Sequence, residues 1–268
     1  MKELSHLSDI FEAYDTFVVD LWGVMHNGVT LNPKAIEAVD QLLNYSKKIV
    51  FLSNAPRPSS KVINFLIKMN MNKKYLSNVI TSGEAAMHAI NKNKFGKTFF
   101  HLGPLRDTSV FEKVKDNKTD LENCDFILCT GLFDEHEKDI PYYKEFLKRH
   151  ISKKLICTNP DLIVHKGSIK ELCAGSIAKV FEELGGQVVY FGKPHKEVYN
   201  MCFSQGEKVL AIGDNLRTDI KGANNLNLDC IFISEGVHRE EYNNISELNS
   251  LLKKYKVKAN FFQKELKW

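Results

Sequence analysis

"TFVVDLWGVMHNG", residues 16–28, is the stretch on which the fold turns. Four apolar or β-favouring residues run straight into Asp20, and Gly23 follows three positions later. A short continuous apolar run bounded by turn residues reads as a buried strand, here delivering a carboxylate to the loop at its end. Trp22 stands two places past Asp20, where a second acid would complete a pair of carboxylates.

Working outward, strand-like and helix-like segments alternate. "NPKAIEAVDQLLNYS" places Ile36, Val39, Leu42 and Leu43 at helical spacing, then "KKIVFLSN" reads as a strand and "SSKVINFLIKMN" as a helix opened by Pro56, Pro58 and serines. The strands are unbroken apolar runs, as expected when helices cover both faces. The middle of the chain carries strands at "KTFFHLG", "CDFILCTG" and "KLICTNP", with helices at "GEAAMHAINKN", "DIPYYKEFLKRHI" and "GSIAKVFEELGG". The last third returns to the first style with "QVVYFG", "KVLAIGD" and "LDCIFIS" around helices at "HKEVYNMCFSQ" and "RTDIKGANNL". The expected fold is α/β: a Rossmann-like doubly wound parallel sheet with an inserted α/β cap domain. The core is read as residues 1–80 and 181–268, and the cap as 81–180.

Composition narrows the partners. The chain has 268 residues, 43% hydrophobic and 26% charged, with a formal net charge of only +4. Basic residues are scattered, so no nucleic-acid partner is expected. The first residues are polar and no apolar run approaches the ~20 residues of a membrane helix, so neither a signal peptide nor a membrane partner is expected. The six cysteines form no CxxC pair and four sit in or beside apolar runs, which suits reduced thiols and a cytoplasmic location. "NKNKFGKT" at 91–98 ends like a phosphate-binding loop but lacks the first glycine and precedes a strand, so it is set aside.

In an open parallel sheet functional groups gather at the carboxyl ends of strands. Asp20 follows "FVV", Ser53 and Asn54 follow "IVFL", Lys193 follows "VVYFG", and Asp214, Asn215 and Asp219 follow "VLAIG". Carboxylates, a hydroxyl and a lysine on neighbouring strand ends suit a phosphoryl group held together with a hard cation. Mg²⁺ prefers oxygen ligands and needs only one or two protein carboxylates beside a phosphate.

These residues in this order resemble the haloacid dehalogenase (HAD) superfamily, whose four motifs match "DLWGV", "LSNAPR", "GKP" and "GDNLRTDI". The likeness runs along nearly the whole chain. The interval from Asp20 to Ser53 is too short for a cap, whereas that from Ser53 to Lys193 has room for one. This layout is similar to HAD class IIA, the NagD-like and nitrophenylphosphatase-like group, and "ITSGEAA" (80–86), "TNPD" (158–161) and "CAGS" (173–176) support it.

By that resemblance Asp20 is the nucleophile and forms an aspartyl-phosphate. Ser53 and the backbone around Asn54 bind phosphoryl oxygens, and Lys193 neutralises charge. Mg²⁺ is held by Asp20, the backbone carbonyl of Trp22, Asp214 and Asp219. Asn159, Asp161 and His165 are cap candidates for substrate contact, each balanced against a purely structural turn. The implied partner is a small phosphorylated metabolite, and the resemblance is compatible with a cap-mediated homodimer.

Trp22 departs from the pattern. Phosphatases of the family carry there a second Asp that protonates the leaving group, and indole has no titratable proton near neutral pH. Loss of such a group typically costs ~10²–10⁴ in rate. The expectation is therefore weak action on alkyl phosphates. An acyl or aryl leaving group that needs no proton would restore turnover, as would a substitute acid, with His26 and His195 nearest in sequence. A weakly catalytic or non-catalytic phosphometabolite-binding protein on the same fold is the alternative. Dehalogenation is disfavoured, because the members that perform it usually carry a helical cap after the first motif.

Overall fold

The structure, a computed structural model, describes residues 1–268. The first part of the chain forms β1 (Lys2–Glu3), β2 (Thr16–Val19), α1 (Pro33–Asn44), β3 (Lys48–Ser53), α2 (Ser59–Lys68) and β4 (Val79–Thr81). Then come α3 (Ser82–Asn91), β5 (Phe99–Leu102), β6 (Phe126–Cys129), α4 (Ile140–Leu147) and β7 (Lys154–Cys157). A hairpin of β8 (Ile163–Lys166) and β9 (Ile169–Leu172) precedes α5 (Ala174–Glu183) and β10 (Gln187–Tyr190). The remainder is α6 (Lys196–Tyr199), β11 (Val209–Gly213), α7 (Lys221–Asn225), β12 (Asp229–Ile233), α8 (Ile245–Tyr255) and β13 (Phe261–Gln263).

The larger sheet has the order β1-β13-β12-β11-β2-β3-β4, and every neighbouring pair is parallel. From β2 the chain winds outward through β3 to β4. After the inserted segment it resumes at β11, on the other side of β2, and winds away through β12 and β13. The direction of winding therefore reverses between β2 and β11, which is where open α/β sheets bind ligands. Asp20 N–H donates to the Ile212 carbonyl at 2.9 Å, which locks the two strand ends in register.

Alternation along the strands explains why the apolar runs are unbroken. Phe17, Val19, Phe51, Leu210 and Ile212 pack on one face with Ala35, Val39 and Leu42 of α1 and Leu66 of α2. Val18, Val50, Leu52 and Val209 point to the opposite face with Tyr199 and Cys202, and Ala211 and Phe232 join Leu248 and Leu252 of α8 there. Both faces are dry, so the period-two signal of a half-exposed strand is lost. Phe51 is 0% exposed. Phe51→Ala is expected to cost about 3–5 kcal/mol of stability, read as a lowered urea midpoint. A loss below about 1 kcal/mol would contradict this assignment of the core face.

The inserted segment builds a second, four-stranded sheet of order β10-β7-β6-β5, also entirely parallel. The helices α4 and α5 cover one face through Tyr143, Leu147, Ile177 and Phe181, while Ala86, Ile90, Val110 and Phe111 cover the other. Two connections join this unit to the larger sheet, and they lie side by side. Ser82 Oγ donates toward the Ala55 carbonyl at 3.1 Å and the Thr158 carbonyl at 2.5 Å. Gly192 sits so close that an added Cβ would lie 2.8 Å from Ser82 Cβ.

Three expectations are corrected. "QVVYFG" was grouped with the core strands, yet β10 pairs with β7 in the smaller sheet. An apolar run signals burial on two faces without saying which sheet supplies the neighbour. "HKEVYNMCFSQ" yields only the single helical turn of α6. Finally, the turn weighed as the structural alternative for His165 is a strand: the residue lies on β8, in a hairpin closed by Gly167 (φ +61) and Ser168. All six cysteines are buried and unpaired. No helix is long and apolar enough to cross a membrane.

Candidate active site

Asp20, Ser53, Asn54, Lys193, Asp214 and Asp219 come together at the carboxyl edge of β2, β3 and β11. Lys193 arrives differently from the sequence-based expectation, because it follows a strand of the smaller sheet. The chain turns at Gly192 (φ +112). Lys193 N–H then donates to Asn54 Oδ1 at 2.8 Å, and Asn54 Nδ2 returns a bond to the Lys193 carbonyl at 3.3 Å. This reciprocal pair pins the lysine to the end of β3. Its Nζ lies 2.6 Å from Asp20 Oδ1, 2.7 Å from Asp219 Oδ1 and 2.8 Å from the Leu52 carbonyl, so all three ammonium hydrogens have acceptors.

The segment after β11 is a π-turn, Leu216–Ile220. Asn215 caps it by accepting from Arg217 N–H at 3.0 Å, and the wide turn brings Asp219 Oδ2 back to Asn215 N–H at 3.1 Å. Gly213 lets Asp219 approach, since a Cβ there would sit 2.2 Å from its carboxyl carbon. Asp214 Oδ2 accepts from Val237 N–H at 2.7 Å. A Cβ on either Gly23 or Gly236 would strike that same oxygen.

Carboxylate oxygens of Asp20, Asp214 and Asp219 all lie within 4.8 Å of one another, and all three residues are buried. Burial, with Asp219 adding to it and Lys193 opposing it, pushes the Asp20 carboxyl up to about 8. Burial and the charges of Asp20 and Asp219 hold Asp214 well above the usual carboxylate range. Burial works against the charge of Lys193, but the surrounding carboxylates outweigh it and keep the ammonium protonated. One lysine cannot balance three carboxylates. An all-oxygen donor set with this surplus of negative charge fits a hard divalent cation.

A cavity of about 850 Å³ opens from this cluster toward the inserted unit. Asn159, Asp161 and His165 of the inserted unit line it, as does Trp22 of the larger unit. Asn159 Oδ1 accepts from Asp161 N–H at 3.0 Å, which makes it the keystone of its own turn. Asp161 Oδ1 accepts from Asn215 Nδ2 and Thr218 Oγ1, both at 3.0 Å, and so ties the second unit to the loop after β11. Burial pushes the Asp161 carboxyl up to about 6. His165 Nδ1 is buried without a protein partner.

Trp22 has a mechanical task. Its Nε1–H donates to the His165 carbonyl at 2.8 Å, across the gap between the two units. Gly28 (φ +84) gives the indole room, since a Cβ there would lie 2.4 Å from Cζ2. The hairpin tip is held twice more, by Gly167 N–H on the Asn27 carbonyl at 2.9 Å and by Arg239 Nη2 on the Gly167 carbonyl at 3.4 Å.

The two histidines nearest in sequence to the motif residues are placed differently. His26 Nδ1 accepts from Gly28 N–H at 3.0 Å, its ring packs between Trp22 and Phe65, and burial pushes it down to about 4. His195 stacks on Tyr190 with centroids 5.5 Å apart and does not line the cavity.

Sequence reasoning missed the Arg57–Asp107 ion pair that joins the loop after β3 to the inserted unit. It also missed the loop after β12. "SEGVHREEY" follows a strand end, so the rule that found Asp20 and Asp214 pointed there too.

A profile described as haloacid dehalogenase-like hydrolase matches residues 17–115, and one described as HAD-hydrolase-like matches residues 190–253. A solved hydrolase of the haloacid dehalogenase-like family from Brucella suis 1330 superposes with a TM-score of 0.87 at 28% identity, covering 99% of this chain and 100% of that one. The 4-nitrophenylphosphatase from Thermotoga maritima shares the fold at TM-score 0.69 and 24% identity, with 96% of each chain covered. The 5'-nucleotidase YutF of Bacillus subtilis (strain 168) is 23% identical over 244 residues, which is 86% of this chain and 91% of YutF. The two profiles fall on the segments that carry Asp20, Ser53, Lys193 and Asp214, and the structural match spans the inserted unit as well. The chain therefore belongs to the haloacid dehalogenase-like hydrolases.

Proposed function

We propose that this chain is a Mg²⁺-dependent cytoplasmic phosphatase that transfers a phosphoryl group from a small phosphorylated metabolite to Asp20 and then to water. The observation that carries this reading is the convergence of Asp20, Lys193, Asp214 and Asp219 on one point at the winding reversal. The Trp22 carbonyl accepts no backbone hydrogen bond, which fits it for a place beside the carboxylates as a fourth oxygen donor. A bound Mg²⁺ would neutralise the carboxylates and withdraw charge from the phosphoryl oxygens.

The protein's own groups do the rest. Lys193 grips Asp20 Oδ1 and leaves Oδ2 to attack phosphorus as the bond to the leaving oxygen breaks, its electron pair departing with that oxygen. Ser53 and the amides beyond it supply donors for the phosphoryl oxygens. Water then attacks the phosphorus of the aspartyl-phosphate, the Asp20–phosphorus bond breaks with its electron pair returning to the carboxylate, and the water's protons leave on the freed phosphate or to solvent. The inserted unit, held down at Trp22, Asn27 and Arg239, encloses the cavity and chooses the ligand. His165 Nδ1 supports a cap contact to substrate, because it is a buried ring nitrogen without a protein partner.

With no proton donor at position 22, the leaving group must depart as a stable anion. An aryl or acyl phosphate meets that demand, and the Thermotoga relative is by name a phosphatase of an aryl ester. A series of phosphate monoesters graded by leaving-group pKa tests the reading. The rate should fall steeply as that pKa rises, and a flat profile would show that an acid operates after all. The same Trp22 favours a second reading, a phosphometabolite-binding protein with negligible turnover. Absence of a metal-dependent beryllium fluoride adduct on Asp20 would favour it.

A further inference from the structure

We propose that His238, backed by Glu241, is a positioning residue that sets the loop carrying Asp214 and Asp219 for cation binding. The inference rests on the reading of those carboxylates as a cation site.

One short loop after β12 holds this segment at two points. Val237 N–H donates to Asp214 Oδ2 at 2.7 Å. The next residue, His238, is 3% exposed, and its Nε2 lies 3.1 Å from Leu216 N, the first residue of the π-turn that presents Asp219. A backbone amide only donates, so Nε2 is the unprotonated ring nitrogen. The proton therefore sits on Nδ1, which lies 2.6 Å from Glu241 Oε1 and donates to that carboxylate. Glu241 is itself steadied by Tyr255 Oη at 3.2 Å from Oε2 and by Lys254 Nζ at 3.8 Å. The chain Glu241–His238–Leu216 thus fixes the imidazole tautomer and gives a buried amide its acceptor.

Without that acceptor the Leu216 amide is left buried and unpaired, and the turn must move to find a partner. Asp214 and Asp219 lie on either side of it and would move with it. Groups that orient metal ligands typically contribute about 10–100-fold in affinity.

The test compares His238→Asn with His238→Gln by calorimetric titration of Mg²⁺ into the metal-free protein. A glutamine amide oxygen reaches the place of Nε2, whereas an asparagine side chain ends near Nδ1. The Asn variant is expected to bind Mg²⁺ about 10–100-fold more weakly, and the Gln variant to regain most of the affinity. Wild-type binding by the Asn variant, or equal losses in both, overturns the proposal. A wild type that takes up no Mg²⁺ overturns the cation site and this inference together. If the Asn variant does not fold, ¹⁵N spectra of the wild-type imidazoles decide. An unprotonated His238 Nε2 is required, and a protonated one overturns the proposal.

Discussion

Asp20→Asn is expected to abolish turnover while making the metal-free protein more stable. The loss of activity follows from the proposed role of Asp20 as nucleophile and should be on the order of 10⁴- to 10⁶-fold. The gain in stability follows from the electrostatics of the cluster. Asp20 is buried beside Asp219, and its carboxyl is pushed up to about 8 by burial and by that neighbour. Charging it in the folded state is therefore unfavourable, and Asn removes the charge at nearly constant volume. Lys193 is not orphaned, because Asp219 Oδ1 at 2.7 Å and the Leu52 carbonyl at 2.8 Å still hold its ammonium. The gain is expected to be about 0.5–2 kcal/mol, measured by thermal unfolding in EDTA. Added Mg²⁺ should stabilise the wild type strongly and the variant less, since a donor has gone. A metal-free Asp20→Asn protein that melts below the wild type would mean that the carboxylates are not in electrostatic conflict.

The second large effect concerns Trp22. Asp at that position would supply the missing acid, but it also removes the indole that donates to the His165 carbonyl. Trp22→Asn makes the same mechanical loss without offering a proton, so the ratio of Trp22→Asp to Trp22→Asn isolates the chemistry. On an alkyl phosphate that ratio is expected to reach ~10²–10⁴ in kcat. On an aryl phosphate with a good leaving group it should stay near unity. Equal rates for the two variants on alkyl phosphates would show that position 22 is not where protonation limits the reaction.

The sequence was informative wherever a functional group ends an apolar run. Asp20, Ser53 and Asp214 were legible because β2, β3 and β11 are buried on both faces and stop abruptly at polar residues. Lys193 was identified for a partly mistaken reason. Its strand belongs to the smaller sheet, and the Gly192 turn with the Asn54 pair brings it back. The hairpin of β8 and β9 left a readable trace in "IVHKGSIKEL", with two short runs flanking Gly-Ser. Other relations have no local signature. The indole bond to His165 joins residues 143 apart, and the His238 bond to Leu216 spans 22, so both are fixed only by tertiary placement. The chemical poverty of Trp22 was readable from its side chain alone, whereas its role as a tether was not.

The two connecting segments at Ser82 and Gly192 touch each other. The backbone therefore enters and leaves the insertion at one narrow seam, much as a branch meets its rootstock, and the other ties to the host are the noncovalent ones at Trp22, Asn27, Arg57, Asp161 and Arg239. Lengthening or shortening the insertion beyond that seam reshapes the cavity wall and leaves untouched the Asp20–Ile212 backbone bond, which lies wholly within the host sheet. Under the proposed function, that division lets ligand preference change while the carboxylate cluster stays where it is.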